Sequence, residues 1–300
     1  MKLLLALDGS SNAQFALQQA CARPWPIDTV IGVLCVVDPK SFDVTPAELP
    51  SRIKLETELA HQLVLEAATR LNRNGVETTT LVAEGDPRSV IIKYARLWSV
   101  DTILMGALGK SQIPKFFMGS VAKAVLREAP CSIWIARPRA ESPPPSPSVG
   151  MRIMIATDGT PEAEAAIDSV ANYPWPAGSL FYIVTVAEPA RSLAAHWAEP
   201  SELASKISPE VMEHAQEAVR SAFKSLEGNE YELSSSVLVG YAKEAILEEA
   251  ANWNADIVVV GTRGWSGIDR IRLGSVSDAI AIHAPCSVEI VRHCTLSEIR

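Results

Sequence analysis

One stretch of sequence occurs twice in this chain, in register, and constrains the fold more than any other feature. The first copy reads Gly106-Ala107-Leu108-Gly109-Lys110 and continues to Met118-Gly119-Ser120-Val121. The second reads Gly261-Thr262-Arg263-Gly264-Trp265 and continues to Leu273-Gly274-Ser275-Val276. In both, two residues separate the first pair of glycines, nine separate the second from the third, and a serine follows directly. Each copy comes after a β-rich apolar run, Thr102–Met105 or Ile257–Val260, and ends where a helical pattern begins. Strand, glycine turn and helix start in that order suit an anion such as phosphate. Glycine lets backbone N–H groups come close to it, and the helix start adds unpaired donors and a positive dipole end.

The repetition reaches well beyond the glycines. Pro24-Trp25-Pro26 returns as Pro174-Trp175-Pro176, and Val36 and Pro39 return as Val186 and Pro189, all at an offset of 150. From Trp98 and Trp253 onward the offset is 155, through Asp101 and Asp256 to Cys131 and Cys286. The second copy therefore holds five additional residues in the loop–helix region after its second strand. Between the copies, residues 139–150 carry five prolines or glycines in twelve positions and read as a semi-extended linker. The expected organisation is a domain over 1–138, that linker, and a second domain over 151–294, an internal duplication.

Within each copy strands alternate with helices. Residues 2–7 read as a first strand, Asp8-Gly9 as the turn leaving it, and Ser10 or Ser11 as the cap of a helix that Pro24 ends. Val30–Val37 is a near-continuous apolar run, as expected of a strand covered on both faces. A long helix over about residues 51–74 follows, with Leu55, Leu59, Leu63 and Ala67 as its expected buried stripe. Further strands over Thr78–Val82, Thr102–Met105 and Cys131–Ala136 complete the unit. The expected fold class is α/β: two tandem five-stranded parallel sheets, Rossmann-like, with helices on both faces. Ligands in such sheets sit at the carboxyl ends of the strands, where the strand order reverses. Asp8, Val36 and Gly106 all fall at such ends.

Composition narrows the class further. No stretch approaches the roughly 18 apolar residues of a membrane span. The apolar start Met1–Leu7 is cut by Asp8-Gly9, too soon for a signal-peptide core, so a cytoplasmic protein is expected. Five cysteines without CxxC spacing and scattered histidines give no disulfide framework or metal cluster. Net charge is −8 but unevenly shared. Residues 1–138 hold 15 basic and 13 acidic side chains, a net of +2; residues 151–300 hold 11 and 21, a net of −10. Neither half carries a basic run suited to nucleic acid.

The glycine motif lacks the Gly-Lys-Ser/Thr ending of a P-loop, and it follows the fourth strand of its unit rather than the first, unlike a dinucleotide fingerprint. An Asp-Gly-Ser/Thr after strand one, Gly-x2-Gly-x9-Gly-Ser after strand four and Ala-Pro-Cys-Ser before strand five together resemble the universal stress protein family. The resemblance is to its ATP-binding members and spans both halves. It implies an adenine-nucleotide-α-hydrolase-like fold and a nucleotide-responsive stress or signalling module. The ligand it implies is ATP, with AMP and ADP as alternatives, carried with Mg²⁺. By the same resemblance Asp8 and Asp158 would meet adenine or ribose, and Val36 and Val186 would line the adenine pocket. Gly106, Gly109, Gly119 and Ser120, with Gly261, Gly264, Gly274 and Ser275, would cradle the phosphates, and Val121 and Val276 would follow on the helix start. Lys110 adds a mobile charge beside the phosphates of the first copy, where the second has Trp265. Arg263, Arg270 and Arg272 would compensate there or form a solvated face.

No histidine lies in either motif, so rapid chemistry is not expected, and the alternatives are slow ATP hydrolysis or a nucleotide-free interaction scaffold. Family members dimerise through their last strands. Here the two last strands, Cys131–Ala136 and Ser287–Val291, are expected to pair antiparallel within one chain as a pseudo-dimer, with association of two chains left open. The loop over residues 187–210 contains Trp197, which is expected either to be buried and pack that loop or to offer a surface to an unknown protein partner.

Overall fold

The computed structural model describes residues 1–109, 118–139, 149–190, 207–228, 231–262 and 273–292. Expectations that fall on Lys110, Gly264, Trp265, Arg263, Arg270, Arg272 and Trp197 lie outside them.

In the first half the order is β1 (Lys2–Leu7), α1 (Ser11–Ala22), β2 (Val30–Val37), a 3₁₀ turn (Pro39–Ser41) and α2 (Leu49–Asn72). Then come β3 (Glu77–Glu84), α3 (Pro87–Leu97), β4 (Thr102–Gly106), α4 (Ser120–Glu128) and β5 (Ser132–Ala136). All pairings are parallel, in the order β3-β2-β1-β4-β5. The chain runs outward from β1 to β3 and then resumes on the other side at β4. The strand order therefore reverses between β1 and β4, which opens a crevice at their carboxyl ends. Helices α1 and α2 touch each other, as do α3 and α4, giving two helices on each face. Strand β1 is apolar and buried from Leu3 to Leu7, and β4 is buried from Thr102 to Met105, whereas β3, at the edge with Thr78, Thr79 and Thr80, is partly exposed.

Local signals place the helix starts. Ser10 caps α1 by accepting from the Ala13 N–H (3.2 Å), and Asp86 caps α3 by accepting from the Ser89 N–H (3.2 Å). Helix α2 departs from the expected stripe. Its buried residues are Ala60, Val64, Ala67, Ala68 and Leu71, while Leu55 and Leu59 are 47% and 48% exposed. The helix packs on β2 and β3, and all of its buried residues lie from Ala60 onward. Leu59 and Leu63 face the crevice instead of the core.

The second half repeats the plan. Its elements are β6 (Arg152–Ala156), α5 (Pro161–Asn172), β7 (Leu180–Ala187), α6 (Pro209–Leu226) and β8 (Glu232–Val239). They are followed by α7 (Ala242–Asn252), β9 (Ile257–Gly261), α8 (Ser275–His283) and β10 (Ser287–Val291). The parallel order is β8-β7-β6-β9-β10, the same reversal at the first strand. The Cys131 and Cys286 thiols are buried beside the last strand of each half. Among the described residues no helix is long and apolar enough to cross a membrane.

Candidate functional site

The site of the first half is built where β1, β2 and β4 end. After Leu7 the chain turns at Asp8-Gly9, and Gly9 takes φ +80°, a left-handed value that favours glycine. The Asp8 carboxylate accepts from the Ser10 N–H (2.9 Å). The Ser10 hydroxyl donates to the Leu108 carbonyl (3.3 Å), tying this turn to the glycine loop after β4.

Each glycine of that loop has its own role. A Cβ on Gly106 would stand 2.7 Å from the Asn12 carbonyl carbon, so this residue is small because α1 packs directly on the end of β4. A Cβ on Gly109 would stand 2.8 Å from Asp8 Oδ2. The carboxylate of the first turn therefore sits against the glycine turn. Gly119 donates its N–H to the Ala107 carbonyl (2.8 Å), closing the loop. It then serves as the N-cap of α4, and among the described residues no side chain caps that helix. The first amides of α4 have no intrahelical acceptor, so an uncapped start leaves donors and a positive dipole end for an anion.

These parts enclose a cavity of about 480 Å³, within the usual range of small-molecule sites. Asp8, Val36, Gly106, Gly109, Gly119, Ser120 and Val121 all line it. The opposite wall is apolar and comes from residues not singled out as site residues by sequence: Leu59 and Leu63 of α2, Ile91 of α3, and Phe42 after the 3₁₀ turn. Glu56 also lines the cavity, paired with Arg52 (2.6 Å), whose guanidinium lies over the Phe42 ring (5.6 Å). The i, i+4 spacing of Leu55, Leu59 and Leu63 was visible in the sequence. A core stripe and a pocket wall have the same period, so it did not tell one from the other.

The corresponding residues of the second half stand in a different setting. The Asp158 carboxylate accepts from the Thr160 N–H (3.1 Å) and hydroxyl (2.6 Å), and Gly159 takes φ +75°. Gly261 is packed against the backbone of Glu162, as Gly106 is against Asn12. Gly274 donates to the Thr262 carbonyl (2.7 Å) and caps α8, which Ser275 and Val276 begin. Val186 lies on β7. A cavity of about 250 Å³ lies between α5 and α6, lined by residues such as Thr157, Asp168 and Ser221. None of Asp158, Val186, Gly261, Gly274, Ser275 or Val276 lines it. Helix α6 lies close on the first turn: Ala218 Cβ is 3.1 Å from where a Cβ on Gly159 would stand, and His214 Nε2 is 3.3 Å from the Asp158 carbonyl.

With this geometry in view, comparison with known proteins is decisive at the level of family. The model of the Universal stress protein family matches residues 1–137 and again 151–292. The chain belongs to the universal stress protein family. It is a tandem member, two such units in one chain. A Staphylococcus haemolyticus protein bearing the universal stress protein name is 30% identical over 139 residues, which is 45% of this chain and 83% of that protein. The crystal structure of a universal stress protein from Archaeoglobus fulgidus matches with a TM-score of 0.63 at 22% identity, covering 97% of this chain and 96% of the other. A structure of the same type from Pseudomonas aeruginosa matches at 0.61 and 16% identity, covering 97% and 92%. At these identities the likeness of the two structures is one of fold.

Proposed function

We propose that the first half of this tandem universal stress protein binds ATP and that the chain works as a nucleotide-responsive module in a stress response or in signalling. The observation that carries this reading is the union, in one cavity of about 480 Å³, of an open apolar wall with an uncapped helix start. The nucleoside would lie against Val36, Leu59 and Ile91, where covering half-exposed leucine with a base removes apolar surface from water. The phosphates would lie at Gly109, Gly119, Ser120 and Val121, on backbone N–H groups and the Ser120 hydroxyl. ADP and AMP would use the same slot with fewer contacts at the helix start.

Magnesium fits this site as a companion of the nucleotide. Among the described residues there is no group of three or more His, Cys, Asp or Glu that could hold a metal. Mg²⁺ characteristically binds through phosphates, waters and one or two carboxylates. Asp8, beside the glycine turn, is the carboxylate that would face it. The ion would screen the phosphate charge, while the chain's own residues bind and orient the nucleotide.

Calorimetric titration of the whole chain with ATP and Mg²⁺ tests the reading. Saturable binding that Gly119→Asp removes is expected. The absence of saturable binding up to millimolar ATP would refute it and favour the scaffold.

A further inference from the structure

The seam between the first two helices differs between the halves in side-chain size and in charge. In the first half Arg70 of α2 reaches across to α1, where its guanidinium donates to the Gln14 side-chain oxygen (3.5 Å). The buried stripes of α2 and α6 correspond at the 155 offset, Ala60, Val64, Ala67 and Leu71 with Ala215, Val219, Ala222 and Leu226. At the same offset Arg70 becomes Ser225, and Leu63 becomes Ala218. On the facing helix, at the 150 offset, Gln14 and Gln18 become Glu164 and Asp168. A short hydroxyl thus stands in place of the bridging cation, and two carboxylates in place of two amides.

The cavity of about 250 Å³ lies at this seam, and every residue lining it is among those described. Its floor is buried: Ile167, Ala218 and Ala222 are apolar, and Thr157 stands where the first half has the buried Leu7. Its rim carries Glu164, Asp168 and Ser225, all exposed. The polar groups present acceptors. The Ser225 hydroxyl donates its proton to the Ser221 carbonyl (3.1 Å), and the Thr157 hydroxyl oxygen accepts from the Gly159 N–H (3.2 Å), so each keeps a lone pair for a donor in the cavity. Among the described residues no basic side chain is paired with Glu164 or Asp168, and no third His, Cys, Asp or Glu joins them as a metal set. A ligand that fits these groups carries N–H donors and positive charge, with an apolar stem to lie on Ile167 and the alanines. The net charge of −10 over residues 151–300 attracts such a cation and repels anions.

We propose that this cavity is a binding site for a small organic cation bearing a guanidinium, which takes the place that Arg70 fills in the first half. A planar guanidinium has five N–H donors and no acceptor, and so matches two carboxylates and two hydroxyl lone pairs better than a compact ammonium does. The two halves then differ in the class of ligand they take. The proposal stands apart from nucleotide binding in the first half.

Two measurements on the full-length chain test this. The first is calorimetric titration at low salt with n-butylguanidinium, alongside its neutral isostere n-butylurea and the ammonium n-butylamine. Saturable binding of the guanidinium is expected, tighter than that of the amine and absent for the urea. Glu164→Gln combined with Asp168→Asn is expected to weaken it about tenfold or more. No saturable binding up to tens of millimolar, equal binding of the urea or the amine, or binding indifferent to the double substitution would overturn the proposal. The second measurement needs no ligand. Ser225→Arg returns the guanidinium of the first half to the seam, between two carboxylates, and is expected to raise the unfolding midpoint at low salt by about 2 °C. A midpoint unchanged or lowered would mean that the seam does not seat a guanidinium, and would overturn the proposal independently of the titration.

Discussion

Gly106 ends β4 so close to Asn12 that a Cβ at this glycine would stand 2.7 Å from the asparagine's carbonyl carbon. The neighbour is backbone, which cannot turn aside as a side chain can. Gly106→Ala must push α1 off the end of the strand, at a cost of about 1–3 kcal/mol. Denaturant unfolding of the variant is expected to show that loss with an unchanged slope. Equal stability would mean that this glycine is not a packing residue.

Gly119 gives the opposite case. Its φ of −63° and ψ of 157° suit any residue, and the atom nearest to an added Cβ is 3.6 Å away. Gly119→Asp supplies the missing cap, so stability is expected to rise by about 0.5 kcal/mol. The same carboxylate occupies the helix start in place of phosphate, and ATP binding is expected to vanish. Measured together, a gain in stability and a loss of binding separate recognition from folding.

Leu59 is 48% exposed on the cavity wall. Leu59→Ser removes apolar surface that a base would cover, so affinity is expected to fall roughly tenfold for ATP, ADP and AMP alike. Because the loss lies at the nucleoside end, it should not depend on phosphate number or on salt. A loss confined to ATP would place the base elsewhere.

Asp86 caps α3, and its carboxyl is held below the usual carboxylate range mainly by the hydrogen bond from the Ser89 hydroxyl (2.8 Å). A folded-state pKa that is lowered contributes stability above the unfolded value, and that contribution is lost as pH falls through the folded one. Asp86→Ala is therefore expected to cost about 1 kcal/mol at neutral pH. The gap between parent and variant should close as acid protonates the cap in the folded chain. A gap independent of pH would assign the effect to something other than the ionised cap.

Much of this was legible in the sequence because the signals were local or periodic. Alternating apolar runs and helical stripes predicted the strand–helix order of both halves, and Ser10 stood out as one of two candidate caps. Asp8, Val36 and the described glycines of the first motif were placed at strand ends by pattern, and they line one cavity. What escaped the sequence depends on distances between elements. Leu59 and Leu63 carry the period of a core stripe, and period alone does not say that they line a cavity instead. Gly106 and Gly261 looked like phosphate glycines, while their tightest contacts are with the first turns of α1 and α5.

Photoaffinity labelling of the whole chain with an azido-adenine analogue of ATP, followed by peptide mapping, tests the central claim most directly. The account predicts label on the segment from Val36 to Leu63, removed by excess ATP and absent from Gly119→Asp. Label confined to the second half, or label that excess ATP does not displace, would contradict it.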